Sequence, residues 1–134
     1  DPDNPIVVNT ITDFTSSHNI HVDADGFLYV VGAADHHIWV YDLVIPEDPI
    51  LVGTWEGEYL HDIEVYDNKI YGAGIYTGHF YIIDASDKSN LSTILTHYTG
   101  LDGISTHDVA ITYDEEYFIS SLFYSYNYCK YGTI

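Results

Sequence analysis

A repeat of roughly 43 to 46 residues restricts the fold of this chain more than any single motif does. Ser17-His18-Asn19-Ile20-His21-Val22-Asp23 matches Leu60-His61-Asp62-Ile63-Glu64-Val65-Tyr66 and Thr106-His107-Asp108-Val109-Ala110-Ile111-Thr112. Each stretch reads small or apolar residue, His, Asn or Asp, aliphatic, any residue, aliphatic. Turn residues follow in phase. Asp25-Gly26 precedes Phe27-Leu28-Tyr29-Val30-Val31-Gly32, Asp67-Asn68 precedes Lys69-Ile70-Tyr71-Gly72-Ala73-Gly74, and Asp114-Glu115-Glu116 precedes Tyr117-Phe118-Ile119-Ser120. His37-Ile38-Trp39-Val40-Tyr41-Asp42 then matches His79-Phe80-Tyr81-Ile82-Ile83-Asp84, and Glu47-Asp48-Pro49-Ile50-Leu51-Val52-Gly53-Thr54 matches Lys88-Ser89-Asn90-Leu91-Ser92-Thr93-Ile94-Leu95. Apolar residues in short runs, split by Gly, Asp and Asn, predict four strands per unit and no helix.

Four short strands per unit of that length predict an all-β, β-propeller-like fold with three four-stranded blades. The expected boundaries are 1–14 for the outer strand of a split blade, 15–56 and 57–99 for two blades, and 100–134 for an incomplete one. The first of these rests on Asp3-Asn4-Pro5-Ile6-Val7-Val8-Asn9-Thr10, which reads like the Glu47–Thr54 strand. Leu122–Ile134 is the least repeat-like segment and lacks the aliphatic-Asp ending of Asp42 and Asp84. Propellers close with four to eight blades. Three blades therefore imply a part of a longer protein, or half of a six-bladed ring in which each N-terminal strand completes the partner's last blade.

The chain has 134 residues and 15.2 kDa, the size of one domain. With 3 Lys and Arg against 21 Asp and Glu, its net charge is −18. Nucleic-acid binding needs clustered cations to displace counterions, so nucleic acid is excluded as a partner, and anionic membrane surfaces are disfavoured. The field of the molecule favours cations. Cys129 is the sole cysteine, so there is no intrachain disulfide and no Cys-based zinc site. No apolar run reaches the length of a membrane-spanning helix, so no membrane insertion is expected. The absence of Met and the start at Asp1 imply a processed or trimmed product.

The His-bearing stretches at Ser17-His18-Asn19, Leu60-His61-Asp62 and Thr106-His107-Asp108 resemble the LVIVD-repeat β-propellers. So do the strands Trp39-Val40-Tyr41-Asp42 and Tyr81-Ile82-Ile83-Asp84 with their following turns. Among these the likeness is to bacterial surface proteins called the choice-of-anchor B family, and it covers roughly residues 1–120. The resemblance implies an exported propeller, extracellular or at the cell surface. It brings no catalytic residues. The function expected from it is a non-enzymatic binding or structural module with a protein partner or self-association, assembling through blade edges into a ring or filament.

His18, His61 and His107 should each open the innermost strand of a blade and together form a ring. With Asp62, Asp108 and Asn19 beside them, they suit a divalent metal, zinc or calcium, and a metal-dependent hydrolase is the alternative function. The competing reading is architectural: a residue repeated in every blade can be a hydrogen-bonded strut. Imidazoles one blade apart are also expected to stand too far apart for metal bonds of about 2.0–2.1 Å unless the channel is narrow. His36-His37 and His79 read as surface loop histidines. His21 is expected on the opposite face of its strand. Asp23-Ala24-Asp25-Gly26 admits a calcium loop or a plain turn. Tyr124, Tyr126 and Tyr128 alternate on one strand face, as a packing stripe would. No GxSxG, HExxH or GxxxxGK[ST] motif occurs.

Overall fold

The computed structural model describes residues 3–35, 37–99, 105–123 and 128–133. The described residues form three antiparallel sheets and contain no helix. The first sheet is β1 (Asn19–Val22), β2 (Phe27–Val31), β3 (His37–Asp42) and β4 (Ile50–Glu56), paired in chain order. The second repeats it with β5 (Asp62–Tyr66), β6 (Lys69–Gly74), β7 (His79–Asp84) and β8 (Ser92–Tyr98). The third has three strands: β9 (Ser105–Ile111), β10 (Tyr117–Phe123) and β11 (Tyr128–Thr133).

Turn chemistry sets the hairpins. Asp67 and Asn68 both adopt positive φ, 45° and 59°, and join Tyr66 to Lys69 in a two-residue loop. That conformation suits a tight hairpin, and Asn and Asp tolerate it better than other non-glycine residues. In the first sheet, Asp23 Oδ1 accepts from the amides of Asp25 and Phe27, and Oδ2 accepts from the Tyr29 hydroxyl. The Asp23–Gly26 segment is thus a side-chain-capped turn, with both carboxylate oxygens occupied by its own hairpin.

The first strands β1, β5 and β9 lie side by side in that order. The second sheet packs between the other two, and period-2 alternation sends its side chains to two cores. Ile70, Tyr81 and Ile83 join Tyr29, Val31, Ile38 and Val40 of the first sheet. Tyr71, Ala73, Phe80 and Ile82 join Val109 and Phe118 of the third. Burial on both faces explains why β6 and β7 read as nearly continuous apolar runs. Strand β8, at the outer edge, is exposed throughout.

Two expectations need correction. Residues 5–12 belong to no strand, so the N-terminal segment has no ladder partner among the described residues. An outer strand needs an edge to pair with, and the three-stranded sheet lies across the second sheet from this segment. Further on, residues 9–14 lean on the face of the first sheet: Asn9 Nδ2 donates to the Glu47 carbonyl, the Tyr41 hydroxyl donates to Asp13, and Phe14 packs on Trp39. The second correction concerns His37 and His79, which open β3 and β7 instead of lying in surface loops. His36, Tyr124 and Tyr126 lie outside the described residues. Despite its weak repeat pattern, β11 pairs with β10 over six positions, Tyr117↔Thr133 to Leu122↔Tyr128.

Candidate functional site

The histidine row is built by equivalent backbone positions. The His18 and His61 amides donate to the carbonyls of Val31 and Ala73, at 2.9 and 2.8 Å, which fixes each histidine beside the end of the second strand of its sheet. Gly32, at φ 69°, lies directly against His18, and a Cβ there would stand 2.2 Å from the His18 Cβ. Only glycine fits that approach.

Because β1, β5 and β9 are neighbours, the three imidazoles meet. The His18 and His61 ring centroids are 3.9 Å apart, and those of His61 and His107 are 4.0 Å apart, each pair tilted by 42°. Adjacent rings are therefore much closer than expected for one residue per blade. His61 Nδ1 lies 2.9 Å from the His107 carbonyl oxygen. A carbonyl only accepts, so His61 carries its proton on Nδ1 and its lone pair on Nε2. His107 Nδ1 meets Asp108 Oδ1 at 2.8 Å, and Ser121 Oγ donates to Asp108 Oδ2 at 2.8 Å.

The carboxylate after each histidine differs by sheet. Asp62 Oδ1 accepts from Asn19 Nδ2 of the first sheet, and Oδ2 accepts from the Val109 amide of the third at 3.2 Å. One side chain thereby joins all three sheets. Asp62, anticipated with the histidines, lies outside the group of close ligand atoms. His61, His107 and Asp108 instead offer ligand atoms that all lie within 4.8 Å of one another. Two imidazole nitrogens and one carboxylate are a donor set for zinc, whereas calcium takes oxygen ligands. The ligand atoms would have to close to roughly 3.3 Å apart around a tetrahedral ion with bonds of that length. The His18 ring lies against that of His61 but is outside this group.

Burial lowers the His61 pKa below the ordinary imidazole range, and the neighbouring His107 and His18 rings add to this. The bond to the His107 backbone and the Asp108 charge act the other way and do not outweigh it. The unfolded chain therefore takes up this proton first as pH falls. The stability held by neutral His61 is complete above about pH 6.5 and is lost as pH falls through that value towards the folded pKa. The expected result is a melting temperature that drops between pH 7.5 and 5.5, with a shallower drop in His61→Gln. Equal slopes in a pH series of thermal melts would contradict it.

A second titratable group escaped the motif reading. Thr77 Oγ1 donates to Glu58 Oε2 at 2.5 Å, and His79 Nδ1 stands 3.6 Å from the same oxygen. Burial pushes the Glu58 carboxyl up, but hydrogen bonds from Thr77 and Tyr81 together with His79 hold it below the usual carboxylate range. In a parallel arrangement, Glu115 Oε2 accepts from Lys69 Nζ and the Tyr71 hydroxyl, both at 2.5 Å, tying the β9–β10 turn to the second sheet. Neither group carries a local sequence signature, because its members come together only when sheets and hairpins pack. No helix among the described residues is long and apolar enough to cross a membrane. Compared with known proteins, the sequence matches no family model and no curated protein.

Proposed function

We propose that the chain is a non-enzymatic, extracellular or cell-surface module of the LVIVD-repeat β-propeller type, serving binding or structural assembly. The observation that carries this reading is the use of His61 and Asp62, from the middle repeat, as struts between sheets. His61 donates to the backbone of the next sheet, and Asp62 takes one donor from each neighbouring sheet. A residue whose polar atoms are engaged between blades is matched to architecture rather than to turnover. The serial order of the sheets, with β1, β5 and β9 adjacent, also suits blades arranged about an axis. The resemblance supplies the exported location.

One observation favours a second reading, the closeness of His61, His107 and Asp108. In that reading the three residues hold zinc, which would supply a Lewis acid and an activated water, the basis of a metal-dependent hydrolase. A zinc titration by calorimetry, followed by assay of ester and phosphoester hydrolysis, separates the two. The module reading expects no zinc-dependent turnover, and an activity that rises with zinc and disappears in His107→Ala would overturn it.

A further inference from the structure

We propose that Asn90 is an N-glycosylation site and that its glycan covers the free edge of β8. This rests on the reading of the chain as an exported module, because such glycans belong to surface loops of exported proteins. Asn90-Leu91-Ser92 has the Asn-x-Ser form that the modification requires, with a residue other than Pro in the middle. Among the asparagines of the chain, Asn90 alone has Ser or Thr two residues on.

The fold presents this tripeptide to solvent. The Asn90 amide donates to the Asp87 carbonyl at 3.0 Å, closing the turn that delivers the chain into β8 at Ser92. Leu91 is partly buried against the core shared by the first two sheets, whereas Asn90 and Ser92 on either side of it are exposed. The alternation puts the acceptor amide and the hydroxyl on the same, outward side.

The strand that follows lacks the usual protection of an edge. β8 is the outer strand of its sheet and is exposed at every position. Ser92-Thr93-Ile94-Leu95-Thr96-His97-Tyr98 contains no Asp, Glu, Lys, Arg or Pro, and Ile94, Leu95 and Tyr98 are exposed. An uncharged, β-prone edge is a template for pairing with another chain, and natural edges carry charge, Pro or a cover against it. The first sheet has two of these devices: Pro49 stands where Asn90 stands, and Glu56 ends β4. Both outer ladders carry a register shift, so that feature does not distinguish them. Ile94 lies four residues beyond Asn90, about 13 Å at the rise of a strand, a span that an oligosaccharide of several sugars sweeps. A glycan is bulky and solubilising, so at this place it bars a second strand while leaving the core untouched.

The transfer balances with a lipid-linked oligosaccharyl diphosphate as donor. Asn90 Nδ2 attacks the anomeric carbon, the C–N bond forms as the bond from that carbon to the diphosphate oxygen breaks, and the lipid diphosphate leaves. The transferring enzyme takes the Nδ2 proton and reads the Ser92 hydroxyl.

The test is secretion of the full chain from a eukaryotic host behind a cleavable signal peptide. The secreted protein should run above the 15.2 kDa chain on denaturing gels and collapse to it after treatment with peptide N-glycosidase. That enzyme converts the modified residue to Asp, so the peptide holding residue 90 should gain about 1 Da. Asn90→Gln and Ser92→Ala should each abolish the shift, and Ser92→Thr should keep it. These positions are exposed, so all three variants should melt with the parent chain. In sedimentation at equal concentration the glycosylated chain should associate at least tenfold more weakly than Asn90→Gln. A secreted, folded chain unmodified at Asn90 overturns the proposal and leaves the exported-module reading standing. A chain that folds but is never exported overturns both. Equal association with and without the glycan overturns the covering role.

Discussion

His61→Ala should lower the stability of the chain by about 3 kcal/mol, more than an exposed polar residue would. The change strands the His107 carbonyl, whose lost partner costs about 1–3 kcal/mol. It also removes the ring that packs against both His18 and His107. For a chain of this length the melting temperature should fall by roughly 10 °C. The loss should appear in chelator-treated protein, because it comes from links between sheets. His61→Gln should recover part of it by restoring a donor without the ring. A melting temperature within about 2 °C of the parent chain would show that His61 is no strut, and a loss seen only with zinc present would move it to the metal reading.

Much of the architecture is legible from the repeat. The Asp67-Asn68 and Asp25-Gly26 turns, the two complete sets of four strands and the equivalence of His18, His61 and His107 follow from local pattern, because hairpins are local structures. What the pattern cannot carry is distance between units. A period along the chain says that the histidines are equivalent. It does not say that their ring centroids come within 3.9 and 4.0 Å, which depends on how closely β1, β5 and β9 approach. The division of labour between Asp62 and Asp108 is hidden for the same reason. Both follow a histidine, but Asp62 has a sheet on each side, whereas Asp108 bonds within its own sheet. Residues 5–12 carry a strand pattern but join no ladder among the described residues, because such a pattern gives a willingness to pair and pairing also needs an edge within reach. Conversely, β11 pairs with β10 although its sequence departs from the repeat, since backbone hydrogen bonds supply the ladder whatever the side chains are.

Phe80→Ala should be the most damaging single change, and the damage should be uneven. Phe80 is fully buried, and its ring lies on that of Phe118, with centroids 4.2 Å apart and planes 12° from parallel. Truncating a buried phenylalanine costs about 3–5 kcal/mol through lost transfer energy and the cavity left behind. The core between the second and third sheets is the smaller of the two among the described residues: Tyr71, Ala73, Phe80, Ile82, Val109 and Phe118. Removing its central ring leaves the third sheet held mainly by Glu115 on Lys69 and Tyr71, by Asp62 on the Val109 amide and by His61 on the His107 carbonyl. These polar links do not substitute for a packed apolar contact, so the third sheet should open before the other two. Hydrogen exchange should then rise in β9 and β10 while β2, β3, β6 and β7 stay protected, whose other core is untouched. Ile70→Ala removes a side chain from that other core and should instead loosen the first sheet against the second. Uniform loss of protection in both variants would mean that the three sheets unfold as one unit, and that the two cores are not separable supports of the fold.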